Sequence, residues 1–183
     1  MIEVEVKLKI NDVQTIKSKL INLGFIECNT ITESDTYFDN VNGDIRRGDR
    51  ALRIRETVYT DANETYYQIN FKDKKYDDKS MTRPEFETEI GDADAISHIL
   101  GSLGYHSVEP RVVKLRREFR CNTMNACIDT VEGLGDFLEL EIIAENIETK
   151  DIALNKINDV LLKLGYSMSD TTTTSYLTAL QNL

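Results

Sequence analysis

Charged residues recur along this chain in pairs two residues apart. Carboxylates pair as Glu3 and Glu5, Glu85 and Glu87, and Glu139 and Glu141, and basic groups pair as Arg53 and Arg55 and as Lys114 and Arg116. On an extended strand such partners project from one face, about 6.6 Å apart. Two carboxylates about 7 Å apart repel by roughly 2.4 kcal/mol at an effective dielectric of 20, a cost that a divalent cation beside them reverses. Oxygen ligands without His or Cys suit Mg2+ or Mn2+, and Mg2+ commonly combines one or two carboxylates with phosphate oxygens. The basic pairs, together with Lys7 and Lys72, supply phosphate donors, bidentate in the case of arginine. The implied ligand is a metal-bound polyphosphate. No Gly-rich Walker loop and no GxGxxG is present, so side chains must do the holding.

Taken singly, each pair reads as the wet face of an amphipathic strand. Jointly they say more, because the strands that carry them repeat one design. "MIEVEVKLKI" sets Ile2, Val4, Val6, Leu8 and Ile10 against Glu3, Glu5, Lys7 and Lys9. "ALRIRE" sets Leu52 and Ile54 against the arginines, "VVKLRREF" sets Val113 and Leu115 against Lys114 and Arg116, and "YYQINFK" gathers Gln68, Asn70 and Lys72 on one side. A sheet of such strands can curl until its charged face lines an interior and its apolar face meets helices. The expectation is an α+β fold: an eight-stranded antiparallel barrel with helices packed outside.

The elements that would build it are legible. A unit of Glu-x-Glu strand, helix and Leu-Gly-aromatic occurs three times, from Glu3, Glu85 and Glu139. Its helices carry apolar stripes at a period near 3.6: Val13, Ile16, Leu20 and Leu23; Ile96, Ile99, Leu100 and Leu103; Ile152, Ile157, Val160, Leu161 and Leu164. Asn11, Asp92, and Thr149 or Asp151 are expected as caps, and Gly24, Gly104 and Gly165 as helix ends. Further alternating runs at 35–39, 51–58, 65–72, 111–121 and 126–131 bring the strands to eight. A last helix is expected over 172–183, capped by Asp170 and the threonines. Loops at 40–49, 60–64 and 73–82 read as polar surface connections, the last of them mobile. No composition shift divides the chain, so residues 1–183 are expected to form one domain.

With 183 residues and 40% hydrophobic content, the chain can bury a substantial core. It has no apolar run long enough to cross a bilayer and no basic, apolar leader, which predicts a cytoplasmic protein without a membrane partner. A net charge of −10 opposes nucleic-acid binding. Cys28, Cys121 and Cys127 are scattered and odd in number, and read as small, partly buried thiols. His98 and His106 carry no expected role.

In this order the residues resemble the CYTH superfamily, the triphosphate tunnel metalloenzymes that include class IV adenylate cyclases and thiamine triphosphatases. The resemblance covers almost the whole chain: ExExK at Glu3, Glu5 and Lys7; "DTYFD" at 35–39; "ALRIRE" with Arg53 and Arg55; "FK" ending at Lys72; "RPEFE" at 83–87; "VKLRREF" with Lys114 and Arg116; and "IDTVEGLGDFLELE" at 128–141. It implies metal held by Glu3, Glu5, Glu139 and Glu141, with Asp129 or Glu87 as a further ligand. It implies triphosphate contacts from Lys7, Arg53, Arg55, Lys72, Lys114 and Arg116, and family members often dimerise. "DTVEGLGDFLELE" is similar to the cyclase-like branch. Many members carry a basic residue just before a Ser-Tyr; here four threonines, 171–174, precede Ser175 and Tyr176, which predicts one phosphate contact fewer or a less closed tunnel.

The leading expectation is therefore an adenylate cyclase that uses Mg2+ or Mn2+ to convert ATP to cyclic AMP and pyrophosphate. The alternative is a triphosphatase acting on inorganic triphosphate, thiamine triphosphate or a nucleotide, with Lys7 or Lys72 positioning water. A third reading is a module that binds polyphosphate or nucleotides without turnover.

Overall fold

The alternation of the opening segment becomes β1 (Ile2–Lys9), in which Val4, Val6 and Leu8 are no more than 1% exposed. The computed structural model describes residues 2–60, 62, 64–77, 80–144 and 147–183. After β1 come α1 (Val13–Asn22), β2 (Ile26–Asn40), α2 (Asp44–Arg47), β3 (Ala51–Tyr59), β4 (Glu64–Lys72) and β5 (Arg83–Glu89). The chain continues through α3 (Ala93–Ser102), β6 (Tyr105–Cys121), β7 (Met124–Val131), β8 (Gly135–Ala144), α4 (Lys150–Leu164) and α5 (Tyr176–Gln181). The strands close into an antiparallel barrel in the order β1-β5-β4-β3-β2-β6-β7-β8. This is the fold the strand pattern predicts.

Two faces of each strand meet two environments. Outside β1 and β8, α1 and α4 lay Ile16, Leu20, Ala153, Ile157, Leu161 and Leu164 against Val4, Val6, Leu8, Leu138 and Leu140, all buried. Over β2 and β3, α3 covers Phe38 and Ile54 with Leu100. Apolar burial at roughly 25 cal/mol per Å² therefore holds the helices to the outer wall and turns the charged face inward. Among the described residues no helix is long and apolar enough to cross a membrane.

The seam between β1 and β5 is short. Only Ile2 with Pro84 and Glu3 with Arg83 pair there, whereas β1 and β8 pair over eight residues. Beyond the seam the free edge of β1 is satisfied by other segments: Met81 N–H donates to the Glu5 carbonyl at 2.9 Å and Thr172 N–H to the Lys7 carbonyl at 2.7 Å. Thr171 also forms a bridge with Leu8.

Several local expectations change. Asp12, not Asn11, caps α1, its carboxylate accepting the Thr15 N–H at 3.0 Å and the Thr15 hydroxyl at 2.6 Å. Asp92 caps α3 as expected, and Thr149 stands at the N-cap of α4. β2 and β6 run longer than their alternating cores, because each pairs along the other from Ile26–Arg120 to Asn40–Tyr105. The threonines do not open a helix over 172–183. They stay extended, as β-branched residues favour, along β1, and Ser175 caps the shorter α5 at Thr178 N–H. Residues 80–82 are not a surface connection: Ser80, Met81 and Thr82 are buried beside the seam. Residues 61, 63, 78 and 79 of the expected polar loops lie outside the described residues. Ile99, Leu103 and Ile152 fall outside their helices' buried faces and are exposed, and so is Cys28.

Candidate active site

The inward faces enclose a cavity of about 580 Å³. Its wall includes Glu3, Glu5 and Lys7 from β1, Arg53 and Arg55 from β3, Lys72 from β4, Lys114 and Arg116 from β6, and Glu139 and Glu141 from β8. Ten of the residues singled out in the sequence thus meet in one space, and cross-strand register decides which of them touch.

One part of the wall is basic and internally paired. Asp35 accepts from Arg55 Nε at 2.7 Å, Arg55 Nη2 at 2.8 Å and Arg53 Nη1 at 3.2 Å. Glu33 accepts from Arg55 Nη1 at 2.8 Å and lies 2.9 Å from Lys114 Nζ. Burial alone would push the Glu33 carboxyl up, yet Arg55, Lys114 and Arg116 outweigh it and hold the group well below its ordinary value. Glu33 lines the cavity two residues before the strand start expected at Asp35. Extending the alternation back two residues would have found Glu33.

Asp129 belongs to this basic part. It is fully buried, accepts from Arg116 at 2.7 and 2.6 Å, from Lys114 at 3.1 Å and from the Tyr176 hydroxyl at 3.1 Å. Its oxygens serve cations and a hydroxyl, and none is left facing the cavity for a metal. Arg116 also donates to Glu139, which Arg116, Lys114 and Lys7 together hold far below its usual range against the cost of burial. Lys7 Nζ sits 4.1 Å from the centre of the Tyr176 ring. Burial lowers the Lys7 pKa, with Glu139 and Glu5 opposing the shift.

The other part of the wall is acidic. Lys72 Nζ lies 2.6 Å from Glu3, 2.9 Å from Glu85 and 3.6 Å from Glu5. The expected ligand Glu87 also lines the cavity, but it is exposed there and accepts from Asn70 Nδ2 at 2.7 Å. Register explains the exchange, since Glu85 faces Lys72 and Glu87 faces Asn70 across β4 and β5. Glu3 is raised well above its ordinary value, chiefly by burial and also by Glu5, and shares a hydrogen bond with Glu85. Glu85 is held down to about 2 against burial by Lys72, that hydrogen bond and Arg53. Glu5 and Glu141 are direct cross-strand partners. Glu141 makes no hydrogen bond or ion pair among the described residues, and burial, with Glu5, pushes it up to about 7.

The donor set fits a hard divalent cation. Glu3, Glu5, Glu85, Glu139 and Glu141 supply oxygen alone, and the partnerless carboxyl of Glu141 opposite Glu5 is a pair that a cation would neutralise. Among the described residues no three of these groups close around a common point as they stand. Lys72 lies among Glu3, Glu5 and Glu85, and Arg116 engages Glu139.

The threonine segment forms part of the wall: residues 173–178 line the cavity, so closure is achieved with hydroxyls and Tyr176 in place of a basic residue. Tyr176 and Arg83 are wall residues with no role expected from the sequence, and Glu85, expected only as one of a carboxylate pair, joins them. Cys127 also lines the cavity, buried, with its thiol pushed up by that burial.

Known proteins resemble this chain along almost its whole length. A protein of Methanocaldococcus jannaschii whose name marks it as a candidate adenylate cyclase is 37% identical over 177 residues, 97% of either chain. An adenylate cyclase of Aeromonas hydrophila is 27% identical over 183 residues, covering 96% of this chain and 87% of that one. The solved structure of a Pyrococcus horikoshii OT3 protein superposes with a TM-score of 0.88 at 31% identity, over 98% of both chains. The family model of the CYTH domain matches residues 1–176, from β1 to the tyrosine beneath Lys7, and the chain belongs to the CYTH family.

Proposed function

We propose that the chain is a divalent-cation-dependent enzyme of linear triphosphates, and that its reaction is the conversion of ATP to cyclic AMP and pyrophosphate. The observation that carries this reading is the division of one enclosed wall into a basic part, Arg53, Arg55, Lys114 and Arg116, and an acidic part, Glu3, Glu5, Glu85, Glu139 and Glu141. A chain of phosphates with a metal beside it satisfies both at once. The names of the two relatives favour the cyclase among reactions that such a site can run.

In this reading Glu3, Glu5, Glu139 and Glu141 hold Mg2+ or Mn2+, which when bound lowers the pKa of an attacking hydroxyl and offsets charge on the phosphates. The arginines take phosphate oxygens in bidentate fashion, kept in place by Asp35, Glu33 and Asp129. Lys114, Arg116 and Lys7 neutralise charge that collects on pyrophosphate as the ribose 3'-oxygen, its proton passing to bulk water, bonds to the α-phosphorus and the bond to the bridging oxygen breaks. Lys72, now within 4 Å of Glu3, Glu5 and Glu85, would supply a further cation to the phosphates. Burial of the wall's charged groups strengthens each of these interactions.

A second reading, hydrolysis of a triphosphate, is favoured by Glu141. A cavity-lining carboxyl without a partner, pushed up to about 7, has the affinity needed to take a proton from an attacking water near neutrality. Glu141 then serves as base and not as ligand.

The test incubates purified protein with ATP and with inorganic triphosphate, each with Mg2+ or Mn2+, and resolves the products. Cyclic AMP plus pyrophosphate supports the cyclase, and phosphate release supports hydrolysis. Tight binding without products would leave a binding module. Glu3→Gln and Glu139→Gln are expected to abolish metal-dependent turnover; unchanged turnover would refute the metal assignment.

A further inference from the structure

Among the described residues, every shielded cation of the cavity wall has a carboxylate within 4 Å except two. Arg53, Arg55, Lys72, Lys114 and Arg116 are all so paired. Lys7 is held over the Tyr176 ring. Arg83 has neither an ion pair nor a side-chain hydrogen bond among the described residues, although it is only 6% exposed and its Nε is shut away from solvent without an acceptor. The carboxylate that feels its charge, Asp49, is already bound to the Lys75 ammonium and the Lys75 N–H.

A buried guanidinium without an anion is costly, because its hydration is lost and nothing replaces it. Arg83 is not placed there by a loose chain. Its backbone pairs with Glu3 at the short seam, Pro84 follows it, and the preceding Ser80, Met81 and Thr82 are buried. Its side chain lines the same cavity as the central arginines, close enough to Asp49, the partner of Lys75, to act on its charge. A phosphate chain seated on the carboxylate-paired central bases leaves its outermost group for a base that has no anion of its own.

We propose that Arg83 forms a separate anion subsite that binds the third phosphate of a linear chain, and that it sets the protein's preference for three phosphates over two. The proposal rests on the triphosphate reading above and deepens it. The guanidinium fork of Arg83 pairs two phosphate oxygens and supplies the partner its Nε lacks. A diphosphate on the central bases does not reach it.

The test is titration calorimetry without metal, using inorganic triphosphate and inorganic diphosphate against the wild type, Arg83→Gln and Arg83→Lys. The expected result is a loss of about tenfold or more in triphosphate affinity for Arg83→Gln, with diphosphate affinity within twofold of wild type. Arg83→Lys keeps the charge but not the fork, and is expected to show a smaller loss with the same selectivity. It carries the test should Arg83→Gln fail to fold. Equal losses for both anions would reduce Arg83 to part of a general basic field and overturn the subsite, as would no loss at all. If the wild type binds neither anion, the triphosphate reading falls and the subsite with it; if it binds triphosphate and the variants match it, the subsite alone falls. ATP and ADP form a second arm. The same selective loss with ATP assigns the subsite to a nucleotide's terminal phosphate, a loss confined to the inorganic ligand assigns it to a free chain, and either supports it.

Discussion

Lys72 occupies ground that a metal would need, and removing it should therefore improve metal binding. Its ammonium lies 2.6 Å from Glu3, 2.9 Å from Glu85 and 3.6 Å from Glu5, with the side chain 12% exposed. The three carboxylates raise its pKa against the cost of burial, so it is charged at any working pH. Breaking a buried ion pair by taking one partner away costs about 3–5 kcal/mol. A cation that enters this cluster in the absence of phosphate must impose that cost on Lys72. At 1.4 kcal/mol per decade, the low end corresponds to about a hundredfold weakening of metal affinity. Inorganic triphosphate gives the displaced ammonium a new anion and removes most of the penalty, so metal and triphosphate should bind with positive cooperativity. Lys72→Met is therefore expected to bind Mn2+ about a hundredfold more tightly than the wild type without triphosphate, and within about tenfold of it with triphosphate. Free Mn2+ followed by electron paramagnetic resonance reads both numbers, and circular dichroism checks that the variant is folded. A folded Lys72→Met that binds Mn2+ no more tightly than wild type would refute the claim that Lys72 stands in the cation's place.

Other outcomes follow from the same geometry. Asp129→Asn keeps shape but removes the charge facing Arg116 and Lys114, and should lower stability by about 3–5 kcal/mol, or about 6–20 °C in Tm. Inorganic triphosphate should recover part of that loss in a thermal melt; an unchanged Tm would remove Asp129 from its structural role. Glu33 has a folded pKa well below its unfolded value near 4.3, so its stabilising contribution is present above that pH and is lost as pH falls toward the folded pKa. Urea titrations from pH 5 to 3 should show a slope shallower by up to about 1.4 kcal/mol per pH unit in Glu33→Gln than in wild type, with the variant less stable at pH 7. Equal slopes would mean that Glu33 is not held ionised. Leu161→Ala empties a fully buried position between α4 and the barrel and should cost about 2–5 kcal/mol in urea unfolding, without changing triphosphate affinity measured at a temperature where the variant is folded.

The parity of a strand is a local property, and for that reason the sequence by itself determined which side chains share a face. Glu3, Glu5 and Lys7 oppose Val4, Val6 and Leu8 whatever the rest of the chain does, and the same holds for Arg53 and Arg55 or Lys114 and Arg116. Eight such strands with three covering helices left a barrel with a charged interior as the consistent solution. Asp12, one residue past the expected cap, is chosen locally by its bonds to Thr15, whereas Thr171 and Thr172 stay out of the last helix because a distant strand edge pairs with them. The free edge of β1 takes Thr172 and Met81.

Which charges touch was beyond sequence parity. Glu85 and Glu87 share a face and are equivalent by alternation, yet the β4–β5 register places the first opposite Lys72 and the second opposite Asn70. Asp129 sits on the expected wall strand, but Arg116, Lys114 and Tyr176 claim its oxygens. Arg83 looks in sequence like one more strand arginine, and only the closed barrel leaves it buried without an anion. These differences have one cause. Face assignment has a period of two along a single strand, whereas pairing depth depends on register and barrel closure, and those are fixed by contacts between residues far apart in the chain.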